Sequence, residues 1–118
     1  MGFKNFEEII AWQKAQDLAV NIYEEFTNCK DFSFKDQIFR AVVSISNNIA
    51  EGFDRGTKKE FIQFLHYSRA SGSEVRSMLR LAPRIKLASE KKSEELISKV
   101  VEVNKIIGGL LKFLKEQK

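Results

Sequence analysis

The sequence predicts an all-α fold, an antiparallel up-down-up-down four-helix bundle. Three observations carry that expectation. Proline occurs once and glycine six times in 118 residues, too few for many short strands and turns. Apolar residues recur at three-and-four spacing through four long segments. Between those segments stand residues that cap helices or stop them. The length suits one domain, residues 1–118, because two halves would each be too small to bury a good core. Apolar residues make up 43% of the chain, enough for a packed core rather than a disordered polymer.

The first helix is expected to open at Asn5, with Glu8 three residues on as a capping box, and to run to about Asn28. Its inward stripe is Ala11, Trp12, Ala15, Leu18, Ala19, Ile22 and Phe26. Ser33 is the expected cap of the second helix, which runs to about Arg55 and stops at Gly56. Thr57 and Glu60 form a capping box for the third. That helix carries Phe61, Phe64, Leu65, Ser68, Gly72, Val75, Leu79 and Ala82 on one face. Pro83 removes a backbone donor, so a kink or an end is expected there. Ser89 caps the fourth helix, with Leu96, Val100, Val103, Ile107, Leu110 and Leu114 inward. Its Gly108 and Gly109 each weaken the helix by roughly 1 kcal/mol relative to alanine, and would allow a close helix approach.

The second helix is unusual. From Ala41 to Ala50 it carries no charge, in a chain where 31% of residues are charged, yet it holds Ser44, Ser46, Asn47 and Asn48. On a helical wheel Phe34, Ile38, Ala41, Ile45 and Ile49 cluster on one face. A polar stripe of Gln37, Arg40, Ser44, Asn48, Glu51 and Arg55 lies roughly 100° away. On the other side Val42, Phe53, Phe39, Ala50 and Val43 widen the apolar arc beyond what a monomeric bundle needs. The expectation is a helix buried twice, by its own bundle and by a second copy of the chain, with Phe39, Val43 and Ala50 at the oligomer interface. Ile97, Val101 and Leu111 suggest the same excess on the fourth helix. The alternative is one generous core covered by long neighbouring side chains. Buried amides and hydroxyls demand partners, because an unpaired one costs about 1–3 kcal/mol. The polar stripe is therefore expected to specify helix register, with Ser71 and Glu74 as partners from the third helix and Glu51 pairing with Arg55 along its own helix.

Composition excludes several functions. One cysteine, Cys29, makes no intramolecular disulfide. The first residues, MGFKNFEEII, are acidic where a signal peptide is apolar, and Phe6 breaks the myristoylation pattern. No apolar run approaches the ~18 residues of a membrane span. A cytoplasmic protein with no membrane association is expected. The single histidine, His66, leaves di-iron and zinc sites without ligands, so neither a metal nor another cofactor is expected. The carboxylates of Glu51 and Glu74 are better read as each pairing with a basic or amide group than as an acid–base couple. No phosphate-binding glycine loop is present, since GFDRGTKK lacks the strand and the spacing. The chain is not expected to be an enzyme.

The clearest binding signal is basic. The net charge is +4. Arg69, Arg76, Arg80 and Arg84 fall at helical spacing on one flank of the third helix, with Lys58 on the same side, Lys86 following and Glu74 on the opposite flank. Guanidinium groups suit phosphates. The stripe points to RNA or DNA, recognised through its backbone with little sequence specificity. The excess apolar surface supports a second expectation, a scaffold that binds a protein partner.

The stretch DQIFRAVVSISNNIAEGFDRGTKKEFIQFL resembles the signature of the four-helix-bundle proteins called 23S rRNA intervening-sequence proteins. The matching residues include Gln37, Arg40, Ala41, Ser44, Ile45, Asn48, Ile49, Ala50, Glu51, Gly52, Arg55, Phe61, Phe64 and Leu65. Trp12, Ala15, Ile22 and Tyr23 match upstream; Ser71, Glu74 and Leu79 match downstream. Ile85 and Lys86 stand where the family pattern has a Gly-Tyr turn. The resemblance implies an antiparallel bundle assembled as a ring-like pentamer. It also implies kinship with the bacterial accessory proteins of diversity-generating retroelements, which bind RNA and a reverse transcriptase.

Overall fold

The computed structural model describes residues 2–117. A 3-10 turn, Phe6–Glu8, leads into four helices: α1, Ile10–Phe26; α2, Phe32–Asp54; α3, Lys58–Arg84; and α4, Glu90–Glu116. Neighbouring helices are antiparallel, because paired positions rise on one helix as they fall on the next. On α1 and α2 the pairs are Gln16 with Ser46 and Tyr23 with Phe39. On α2 and α3 they are Gln37 with Glu74 and Ser44 with Ser71. On α3 and α4 they are Arg80 with Glu94 and His66 with Lys115. Lys14–Glu102 and Lys99–Asn21 close the square between α1 and α4. The extents, 48 × 20 × 19 Å, are those of helices of this length packed side by side.

The helix ends follow local chemistry, with two departures from expectation. Thr57 Oγ1 accepts from the Glu60 amide at 3.2 Å, and Ser89 Oγ accepts from the Lys92 amide at 3.1 Å. Gly56 takes φ +88 and turns the chain out of α2. Asn5, however, makes no capping bond. The Glu8 carboxylate accepts instead from the Lys4 amide, Phe6 folds back edge-on to Trp12 at 5.3 Å, and an extended Ile9 drives its side chain into the core before α1 begins. Nor does Ser33 cap α2. The Asp31 carboxylate accepts from the Phe34 amide at 3.1 Å, so the helix starts at Phe32. Pro83 sits in the last turn of α3. There Lys86 adopts the left-handed conformation, φ +63, with its amide bonded to the Pro83 carbonyl and that of Leu87 to the Ala82 carbonyl. This is a Schellman ending with lysine where glycine fits best.

The core absorbs more of the apolar excess than the helical wheel suggests. Val42, Ile97 and Leu111 are buried within the bundle itself. Phe39, Val43, Ala50, Phe53 and Val101 are half-buried. Phe39 is stacked on Tyr23 at 3.8 Å. Helix α2 therefore presents a narrower apolar strip to the outside than expected, because α1 covers one edge of the arc.

Two glycines set the separation of the helices. A Cβ on Gly52 would stand 2.5 Å from Phe64 Cβ, an atom fixed to the backbone of α3. A Cβ on Gly72 would stand 2.3 Å from Asn104 Oδ1 and 2.9 Å from Asn104 Cγ, so the Asn104 side chain occupies the space that Gly72 leaves open.

These contacts predict that alanine is harmful at both glycines, and that at Gly72 the harm depends on Asn104. Alanine in a helix is favoured over glycine by about 1 kcal/mol, whereas overpacking costs about 1–3 kcal/mol. Gly52→Ala must push α2 from α3 and is expected to lower the thermal midpoint by several degrees; an unchanged or raised midpoint contradicts the packing. Gly72→Ala is expected to destabilise the wild-type protein but to stabilise an Asn104→Ala variant by about 0.5–1 kcal/mol. Denaturant unfolding of the four proteins in this cycle reads the change of sign, and an equal effect in both backgrounds contradicts it.

Candidate nucleic-acid interface

The two polar features of the sequence lie in different grooves. The stripe of α2 faces α3. Gln37 donates to the Glu74 carboxylate at 3.3 Å. The hydroxyls of Ser44 and Ser71 lie 2.6 Å apart, and Asn48 Nδ2 donates to the Ser44 carbonyl at 2.8 Å. Arg55 pairs with Glu51 at 3.0 Å and with Glu60 at 3.6 Å, and its guanidinium lies 4.9 Å over the Phe64 ring. Arg40 departs from this groove: it is exposed and pairs with Asp36 of its own helix at 3.1 Å. Glu51 and Glu74 face α3 and α2 at levels about 20 Å apart along α2, at 1.5 Å per residue from Gln37 to Glu51. They do not meet as a carboxylate couple.

The most buried polar groups of the bundle were not singled out by the stripe. Ser46 is fully buried and accepts from Gln16 Nε2 at 2.9 Å; Ser68 is fully buried and donates to the Ile45 carbonyl at 2.7 Å. Each ties α2 to a neighbour at the level of Ile45. The uncharged polar middle of α2 is thus a set of short ties to α1 and α3, made by side chains small enough to fit where lysine or glutamate would not.

The arginines of α3 lie on its other flank, against α4. Arg80 is paired with Glu94 of α4, so the expected acid-free flank does have a carboxylate across its groove. Lys58 is also engaged, donating to the Gln117 carbonyl at 2.7 Å. Arg69, Arg76 and Arg84 remain. All three are exposed, and none has a carboxylate within 4.0 Å among the described residues. The Arg69 guanidinium lies across Gly108 of α4, 4.0 Å from where a Cβ would stand. Lys86 follows in the turn, exposed.

Helix α4 adds charge that sequence reasoning missed. Asn104 and Gly108 face α3, and Lys115 reaches His66 at 3.2 Å. Lys105 and Lys112, three residues before and four after Gly108, border the same side; both are exposed. The signal was available as lysines at 105, 112 and 115, but only the α3–α4 register joins them to the arginines. Seen end to end, the groove is basic from Lys115 to Arg76. It becomes mixed near Arg80, where Glu94 closes it and Glu90 lines it.

No group of three or more His, Cys, Asp or Glu side chains stands together among the described residues. No described helix is long and apolar enough to cross a membrane. Cys29 is a half-buried free thiol in the first loop.

Residues 7–109 match the family described as 23S rRNA-intervening sequence protein. No curated protein matches the chain significantly. Among solved structures, it is similar to the 1.70 Å crystal structure of a protein of unknown function from the S23 ribosomal protein family of Bacteroides thetaiotaomicron VPI-5482. That likeness has a TM-score of 0.80 at 26% identity, over 86% of this chain and 98% of the other. The four antiparallel helices and the extent of the family match agree, and this chain belongs to the 23S rRNA-intervening sequence protein family.

Proposed function

We propose that this chain is a non-catalytic nucleic-acid-binding protein, acting on RNA in preference to DNA through the α3–α4 face. The observation that carries the reading is selective pairing. Arg40, Arg55 and Arg80 each have a carboxylate partner, whereas the arginines left without one, Arg69, Arg76 and Arg84, share one flank. Lys105 and Lys112 stand beside them. Exposed cations held in one row on rigid helices attract a polyanion and can release its counterions. Among the described residues no exposed aromatic ladder accompanies them, since Tyr67 is bonded to Gln63 on a different side of α3. Contact is therefore with phosphates, and sequence preference is weak.

We further propose that the protein works as a homo-oligomer through the outer strip of α2, where Phe39, Val43 and Ala50 are half-buried. Five subunits is the number that the family resemblance implies. If that strip instead takes a different protein, the chain is a scaffold with no nucleic-acid role.

An RNA hairpin titrated at several salt concentrations tests the reading. With about four phosphates engaged on duplex RNA, and a slope like that of duplex DNA, affinity is expected to fall on the order of 100-fold between 50 and 200 mM salt. The double substitution Arg69→Glu and Arg76→Glu should abolish binding and leave the helical circular dichroism intact. Absence of salt-dependent binding by the wild type, with a folded oligomer in light scattering, overturns the nucleic-acid reading and favours the scaffold.

A further inference from the structure

We propose that Arg69, Asn104 and Arg76 form a single phosphate-binding subsite at the middle of the α3–α4 groove, taking one tetrahedral phosphate group of a nucleic-acid backbone. This inference rests on the function proposed above and gives it a location. The starting observation is an anomaly. Asn104 is half-buried, and its Oδ1 is wholly buried with no hydrogen-bond partner among the described residues. An alanine at this position would pack into the helix pair without orphaning an acceptor. Room for the amide exists only because residue 72 is glycine. The amide lies across the missing side chain, with Oδ1 2.3 Å and Nδ2 3.0 Å from a Cβ built there, and of the two only Oδ1 is wholly buried without a partner.

Two of the three unpaired arginines bracket this point on α3. Arg69 lies three residues before Gly72 and Arg76 four after it, about 5 and 6 Å along the axis at 1.5 Å per residue. Each offset is shorter than an arginine side chain. Arg69 is already turned across the groove, onto Gly108, one turn beyond Asn104 on α4. With Oδ1 turned inward, the Nδ2 protons are the part of Asn104 left for a ligand. Two arginines long enough to reach a neutral amide donor from either side match an oxyanion that accepts from several sides. The facing carboxylate, Glu94, pairs with Arg80 and lies ten residues from Asn104 along α4, about 15 Å away. Lys105, next in sequence to Asn104, adds a cation at the rim. A phosphodiester and a free phosphate ion share this chemistry; the row of cations continuing along the groove favours the polymer.

The test uses the full-length protein, the RNA hairpin and inorganic tripolyphosphate. In wild type, both probes are expected to shift the side-chain amide resonances of Asn104, and the shift should vanish in the Arg69→Gln and Arg76→Gln variants. Asn104→Ala is expected to weaken hairpin binding about tenfold without changing the salt slope, because it removes a neutral donor. Arg76→Gln should reduce that slope by about one. If the hairpin binds but Asn104→Ala leaves its affinity unchanged and neither probe moves the amide, the subsite is wrong while the nucleic-acid function stands. If tripolyphosphate moves the amide but the hairpin does not bind, the subsite stands for free phosphates and the nucleic-acid function falls. If neither probe moves Asn104 and the hairpin does not bind, both fall. The wild-type resonances need no variant to fold.

Discussion

Helix α3 is held on both flanks by contacts that only glycine permits. On one side Gly52 of α2 lies against the root of Phe64. On the other, Gly72 makes room for Asn104 of α4. Helices keyed together in this way cannot slide without collision, since packed helices interlock through side chains of fixed size. The polar contacts that α3 makes with its two neighbours depend on this register. It sets Ser44 opposite Ser71 and Gln37 opposite Glu74 in one groove, and Arg69 across Gly108 in the other.

The register also explains the uncharged polar stretch of α2. Around Ile45 the chain needs hydrogen bonds to two neighbours in little space. Serine supplies them with few atoms, and Gln16 and Ser68 complete them from α1 and α3. Apolar side chains alone would pack as densely, but they would leave several helix offsets close in energy, and buried polar pairs remove the offsets that separate them. The charged C-terminal end of the stripe, Glu51 and Arg55, lies at the surface and contributes less, because exposed ion pairs are worth about 0–1 kcal/mol.

Much of this was legible in the residues. Thr57, Ser89 and Gly56 mark helix ends correctly, because a cap or a positive φ is decided within a few residues. Asn5 and Ser33 misled for a related reason. Each has a competitor nearby, Glu8 occupied by the Lys4 amide and Asp31 two residues upstream of Ser33, and spacing alone does not rank them. Val42, Ile97 and Leu111 counted as surplus on a wheel, yet they are core, since a wheel does not reveal how far adjacent helices wrap around one another. The basic face was only half visible. The arginines of α3 are periodic, but the Arg80–Glu94 pair and the lysines of α4 join the picture only through a contact between segments distant in sequence. The roles of Gly72 and Asn104 were hidden for the same reason: a missing side chain acquires meaning only from what fills its place.

One flank of α3, fixed by its glycine contacts, is the surface proposed to meet phosphates. A map of backbone amide shifts on binding a short RNA duplex addresses this most directly. Changes are expected only in residues 69–86 of α3 and its ending turn and in residues 101–115 of α4, with the Tyr23–Phe39 side undisturbed. Changes centred on the outer strip of α2, or spread evenly over the surface, would contradict it.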